Sequence, residues 1–228
     1  MKKILFLIVL LNLCICNTLR AQAWYYNPLG FSPLELEAKN GFLLPAIAVG
    51  LCVLVTKHDT ALANRLSFYN EGGTSWGYKY PYTTLYQNNT GINYHLRKWM
   101  SVGFELSVYV PRDSVNSTIG FAARPFARFY VFNKKKWRVY FESGVGIIYF
   151  TNRFPLPTTQ DPRLGTHLNF DPKYGLGAEV NLDPKTSLLF GIRHAHVSNG
   201  DLDGVQRNPS FDSDGFFIGF SYQLVKSN

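Results

Sequence analysis

The stretch Met100-Ser101-Val102-Gly103-Phe104-Glu105-Leu106-Ser107-Val108-Tyr109-Val110 alternates with a period of two. In an extended chain successive side chains point to opposite faces, so Met100, Val102, Phe104, Leu106, Val108 and Val110 share one face. Ser101, Gly103, Glu105, Ser107 and Tyr109 share the other. Upstream, Tyr86–Leu96 places Tyr86, Ile92, Tyr94 and Leu96 on one side, with Asn88 and Thr90 interrupting the apolar run. Downstream, Ile119, Phe121, Ala123, Ala127, Phe129 and Val131 oppose Thr118, Gly120, Arg124 and Arg128. Trp137, Val139, Phe141, Val145, Ile147 and Tyr149 oppose Arg138, Glu142, Gly144 and Gly146. Leu168, Phe170, Tyr174, Leu176 and Val180 oppose Asn169, Asp171, Lys173 and Glu179. Leu188, Phe190 and Ile192 oppose Gly191 and Arg193, and Phe216, Ile218, Phe220, Tyr222 and Leu224 oppose Gly215, Gly219, Ser221 and Gln223.

These seven segments, of about 11–15 residues, are too long and too evenly spaced for an ordinary sandwich. Their polar faces carry both signs of charge: Glu105, Glu142 and Glu179 with Arg124, Arg128, Arg138 and Arg193. A small membrane barrel accounts for this, with the apolar face on lipid and paired charges filling the lumen. The connections agree. Arg97–Trp99, Asn133–Lys136 and Leu182–Lys185 are tight turns, whereas Pro111–Ser117, Thr151–Thr166 and Asn199–Phe211 are longer. Short turns at one end and long loops at the other belong to outer-membrane barrels. The expected fold is all-β, an eight-stranded antiparallel transmembrane β-barrel of the outer membrane. An even strand number requires one more strand before Tyr86. Gly41–Val55 is the expected place, with residues 56–85 as a long loop and a plug or periplasmic segment as the alternative.

Composition sets the frame. The chain has 228 residues, 46% hydrophobic and 16% aromatic, which fits one domain and excludes disorder. Residues 1–23 read as a signal peptide: Lys2 and Lys3, an apolar run Ile4–Cys16, then Ala21-Gln22-Ala23 as a small-x-small cleavage site. Residues 24–228 are then a single barrel domain, with strands clearest from 86 to 224. Cleavage removes Lys2, Lys3 and Arg20, lowering the net charge from +8 to +5, and removes Cys14 and Cys16. Cys52 is left alone, so no internal disulfide forms. The basic residues are spread along an exported chain, which argues against nucleic acid as a partner.

Gly73-Thr74-Ser75-Trp76-Gly77 matches the G-x-S-x-G pattern, but its flanks are loop-like and no helical period follows, so it is set aside. The informative stretch is His194-Ala195-His196-Val197-Ser198-Asn199. By parity His194, His196 and Ser198 continue the Leu188, Phe190, Ile192 face, which is directed at lipid. Polar groups there are costly and mark function. Residues i and i+2 project the same way about 7 Å apart, so an imidazole can lean onto a serine hydroxyl, the base–nucleophile pair of acyl transfer. The final strand offers Asp212 and Asp214 on its own outward face, and antiparallel neighbours bring such residues together. Rim polarity just above the hydrocarbon is the competing explanation. His194 with His196 lacks a third ligand at suitable spacing, so no metal is expected.

His196-Val197-Ser198-Asn199, followed by a loop and an acid at the start of the last strand, resembles the outer-membrane lipid A 3-O-deacylases, the PagL family. The layout from Tyr86 to Leu224 is similar to that family's barrel. The resemblance implies His196 as base, Ser198 as nucleophile, Asp212 as acid, and Asn199 with the Gly200 backbone as oxyanion donors. The family uses glutamate where Asp212 stands, one methylene longer, so Asp214 is the alternative acid. Gly200 takes the place of an alanine often found there. The implied substrate is lipid A of lipopolysaccharide, with no cofactor. His194 and Arg207 are candidate substrate contacts, Arg207 for a lipid A phosphate. The last strand should finish in the periplasm, which puts Ser198 and Asp212 beside an external loop facing the outer leaflet of a Gram-negative outer membrane. A non-catalytic small barrel, and a phospholipase or acyltransferase using the same triad, are the rival expectations. The oligomeric state stays open.

Overall fold

In a computed structural model that describes Gly50 and residues 66–78, 82–159 and 161–224, the alternating segments become strands. They are β1 (Leu66–Gly77), β2 (Thr84–Arg97), β3 (Met100–Arg112), β4 (Gly120–Asn133), β5 (Trp137–Phe154), β6 (Thr166–Asn181), β7 (Thr186–Val197) and β8 (Phe211–Gln223). Each pairs antiparallel with its sequence neighbour, and β1 closes on β8 to complete an eight-stranded barrel. The tight turns after β2, β4 and β6 lie at one end, and the longer connections after β1, β3, β5 and β7 lie at the other. Among the described residues no helix is long and apolar enough to cross a membrane; the strands do the crossing.

Side-chain parity holds around the wall. Phe104, Leu106 and Val108 of β3 are exposed on the outside, while Ser101, Glu105, Ser107 and Tyr109 are buried in the lumen. The lumen is filled by charge. Arg124 Nη2 donates to Glu105 Oε1 at 3.2 Å and to Glu142 Oε1 at 2.7 Å, and Arg128 Nε donates to Glu142 Oε2 at 2.7 Å. Lys173 Nζ reaches Glu105 Oε1 at 2.6 Å and Asp171 Oδ2 at 3.9 Å. Arg193 bridges Glu71 at 2.5 Å and Glu142 at 3.3 Å. Tyr69 and Tyr109 donate to Glu105 and Asp171, each at 2.8 Å. Buried carboxylates and guanidiniums are tolerable only when paired in this way. The Phe126 ring lies beneath the Arg124 and Arg128 guanidiniums, in space left by Gly103, where a Cβ would strike it. Towards the long loops an apolar cluster including Leu85, Phe150, Phe154, Val197 and Phe211 closes the lumen.

One expectation is corrected. The eighth strand is Leu66–Gly77, inside the segment read as a long loop, and the connection to β2 is residues 78–83. Along its outward face run Leu66, Phe68, Asn70, Gly72, Thr74 and Trp76. The middle three are polar or small, which erases the apolar period that marks a strand. Asn70 compensates by donating to Asn88 Oδ1 at 3.0 Å and Thr90 Oγ1 at 2.7 Å, the two residues that interrupt the outward face of β2. The proposed signal peptide, Cys52 and nearly all of Gly41–Val55 lie outside the described residues. Ser75 of the set-aside G-x-S-x-G stretch sits within β1 near its end, faces the lumen and donates to Ser213 Oγ at 3.0 Å, with no elbow to expose it.

Candidate active site

The β7–β8 register pairs His194 with Asp214 and His196 with Asp212, and the β6–β7 register pairs Tyr174 with His194. All of these are even-numbered and project outward with Phe190, Phe216 and Ile218. Those three are 42–59% exposed, as lipid-facing residues should be, yet His194, His196, Ser198, Asp212 and Asp214 are only 1–7% exposed. The outer face of the barrel therefore carries a covered polar patch at its long-loop end.

Two tyrosines help to cover it. Tyr78 follows β1 directly; its backbone N–H donates to the Asp212 carbonyl at 3.2 Å and its hydroxyl to Asp214 Oδ2. Its ring stacks on His194 at 6.2 Å between centroids, and Tyr174 stacks on the same imidazole at 4.9 Å. Burial, and then the hydrogen bond to Asp214, push the Tyr78 hydroxyl well above the usual phenol range, so it remains a donor.

Within the patch the imidazoles and carboxylates pair one to one, with one shared contact. His196 Nδ1 meets Asp212 Oδ1 at 2.7 Å. His194 Nδ1 meets Asp214 Oδ1 at 2.9 Å, and its Nε2 lies 3.4 Å from Asp212 Oδ1. Ser198 stands two residues beyond His196, where its backbone pairs with Phe170 of β6. The loop after it is knotted by amides. Asn199 Nδ2 donates to the Arg207 carbonyl at 2.8 Å, and Asn199 Oδ1 accepts from the Asp201 N–H at 2.9 Å. The Asn199 N–H donates to Asn208 Oδ1 at 2.9 Å. Gly200 has φ 61°, a left-handed conformation that suits glycine. Arg207 ends an exposed 3-10 turn, Val205–Arg207, joined to the patch through its main chain.

A histidine paired with a buried carboxylate, with a serine two residues on, holds the residue types that acyl-ester hydrolysis uses. The family model for lipid A 3-O-deacylase (PagL) matches residues 82–221, well over half of the chain. The chain belongs to the PagL family. Among solved structures it is similar to the outer membrane enzyme PagL, with a TM-score of 0.50 and 16% identity over 65% of this chain and 97% of that one. It is also similar to Neisserial surface protein A (NspA), with a TM-score of 0.52 and 8% identity over 70% of this chain and 97% of that one. At such identities these two likenesses concern the fold. No curated protein matches the sequence. Family membership makes this PagL-family chain an outer-membrane lipid A deacylase.

The sequence-derived residues His194, His196, Asp212 and Asp214 thus come together in one patch, while Ser198 lies buried two residues beyond His196 and Asn199 and Gly200 open the loop after it. Among the described residues no group of three or more His, Cys, Asp or Glu is arranged to hold a metal ion. Tyr78 escaped the sequence reading. It lies upstream of the family-matched segment and 136 residues from Asp214, and barrel closure alone brings the two together.

Proposed function

We propose that this PagL-family chain hydrolyses an ester-linked acyl chain of lipid A through Ser198, His196 and Asp212, on the outer surface of the barrel facing the outer leaflet. The observation that carries the assignment is the 2.7 Å contact between His196 Nδ1 and Asp212 Oδ1, buried on the outward face two residues from Ser198. With Nδ1 engaged by Asp212, Nε2 is the ring nitrogen left for the serine. His196 takes the Ser198 proton as Oγ attacks the ester carbonyl, and Asp212 stabilises the resulting imidazolium. His196 then returns that proton to the leaving alkoxide. Water, activated by the same imidazole, releases the fatty acid from the acyl-enzyme.

Asp212 serves as the acid rather than Asp214, because Asp214 is spent on His194 and Tyr78. The Asn199 amide has two N–H groups; one holds the loop at Arg207, leaving the second, with the Gly200 backbone N–H, for the oxyanion. Each such donor is worth about 10²–10³ in rate. The position of the patch at the long-loop end supports an outer-leaflet site, since short turns face the periplasm in such barrels. The substrate then arrives by lateral diffusion, with Arg207, exposed in the loop, as the candidate contact for its phosphates.

The test is to express the wild type and Ser198→Ala in an outer membrane bearing acylated lipid A, and to compare extracted lipid A by mass spectrometry. Loss of one acyl chain with the wild type alone supports the assignment. Equal loss with both moves the nucleophile elsewhere. Unchanged lipid A beside new lysophospholipid, or a transferred chain, changes the substrate or the acceptor.

A further inference from the structure

The proposed triad uses one histidine and one aspartate, but the patch contains two of each. His194 and Asp214 are 3% and 1% exposed, on a face where the rest of the strand meets lipid. Asp212 and Asp214 stand at i and i+2 on one strand and project the same way, so two carboxylates share one buried site. Like charges at such a site oppose each other unless something lies between them. His194 does: its Nδ1 is 2.9 Å from Asp214 and its Nε2 3.4 Å from Asp212. Nδ1 makes a hydrogen bond, whereas Nε2 makes none and acts on Asp212 by charge: an imidazolium between the two carboxylates offsets both. Tyr78 occupies the other Asp214 oxygen, and the rings of Tyr78 and Tyr174 stack on the imidazole.

We propose that His194 is a positioning residue: with Asp214 and Tyr78 it forms a second hydrogen-bonded unit that fixes Asp212 Oδ1 against His196. The inference rests on the Ser198–His196–Asp212 assignment. The chain of contacts runs Tyr78, Asp214, His194, Asp212, His196. Each member fixes the rotamer of the next, so the catalytic carboxylate cannot turn away from the base. Without His194 the two aspartates repel, and Asp212 swings from His196 or takes up a proton.

The test measures kcat and KM for lipid A with the full-length protein in detergent micelles, with folding checked by the heat-dependent gel shift of a barrel. His194→Phe keeps an aromatic ring to stack but removes both nitrogens; kcat is expected to fall about 10- to 100-fold, as when other outer partners of a working side chain are lost, with KM unchanged. His194→Gln sets an amide N–H near the position of the ring Nε2 and is expected to recover most of that loss. Tyr78→Phe is expected to cost less than His194→Phe, and the double variant no more than His194→Phe alone, because the two act as one unit. A rise in KM at constant kcat would make His194 a substrate contact and overturn the proposal. So would unchanged kinetics in His194→Phe, or a glutamine no better than phenylalanine. Labelling with a serine-reactive phosphonate separates the two levels. Unlabelled wild type, or label and activity surviving Ser198→Ala, sinks the triad assignment. Label on Ser198 with kinetics indifferent to His194 sinks only this one.

Discussion

Two regions of this barrel bury ionisable groups, and they do so in opposite ways. In the lumen, Arg124, Arg128, Lys173 and Arg193 meet Glu71, Glu105, Glu142 and Asp171 in a network whose charges balance. Its cations are three guanidiniums, rigid forks that stay charged, and one ammonium held against Glu105. On the outer wall, Asp212 and Asp214 meet the imidazoles of His194 and His196, side chains with two distinct ring nitrogens. The first arrangement keeps a polar interior compatible with a membrane. The second, on the proposed assignment, serves proton transfer to and from Ser198. Burying charge does not by itself indicate chemistry; the kind of cation paired with each carboxylate distinguishes scaffold from site.

That contrast can be broken experimentally, beginning on the outer wall. Ser198→Ala should abolish deacylation, a loss on the order of 10⁶ in kcat for a working nucleophile, while the barrel keeps its unfolding midpoint in urea. Survival of more than a hundredth of the activity would remove Ser198 from its role. Asp212→Asn should cost about 10⁴ in kcat, because the amide favours the wrong imidazole tautomer. If Asp214→Asn costs more than Asp212→Asn, the acid has been assigned to the wrong carboxylate. In the lumen the signature should invert. Glu105→Leu strips Arg124, Lys173 and Tyr69 of a shared acceptor, and breaking a buried network in this way should cost about 3–5 kcal/mol of stability. Activity per folded molecule should stay within about threefold, far smaller than the Asp212 effect. A large loss of turnover in the folded Glu105→Leu barrel would mean that the two regions are coupled. The smallest effect is expected at Asn70 and Asn88. Replacing both with leucine removes donor and acceptor together, and stability should change by less than about 1 kcal/mol.

The sequence was most legible where one face met lipid along a whole strand. β3 reads directly from Met100 to Val110, because every outward residue there is apolar. β1 does not, because Asn70, Gly72 and Thr74 occupy the middle of its outward face and are made tolerable by Asn88 and Thr90 on the neighbouring strand. A lone strand cannot show a compensation that lies in its partner. The site follows the same rule. Parity alone places His194, His196, Ser198, Asp212 and Asp214 on the outward face. Parity does not say which aspartate meets which histidine, since a register shift of two residues keeps every side chain on its face and exchanges its partners.

The alternation and the uneven loops were enough, without coordinates, to point to an outer-membrane barrel, because period and spacing are local properties of a chain; the H-x-S-N stretch carried the resemblance to the lipid A deacylases. Three matters belonged to the tertiary structure. The first strand was chosen by closure against β8, the pairing of His196 with Asp212 by the register of β7 on β8, and the cover of Tyr78 over Asp214 by both. Each depends on contacts between residues far apart in sequence, which are set only when the sheet closes on itself.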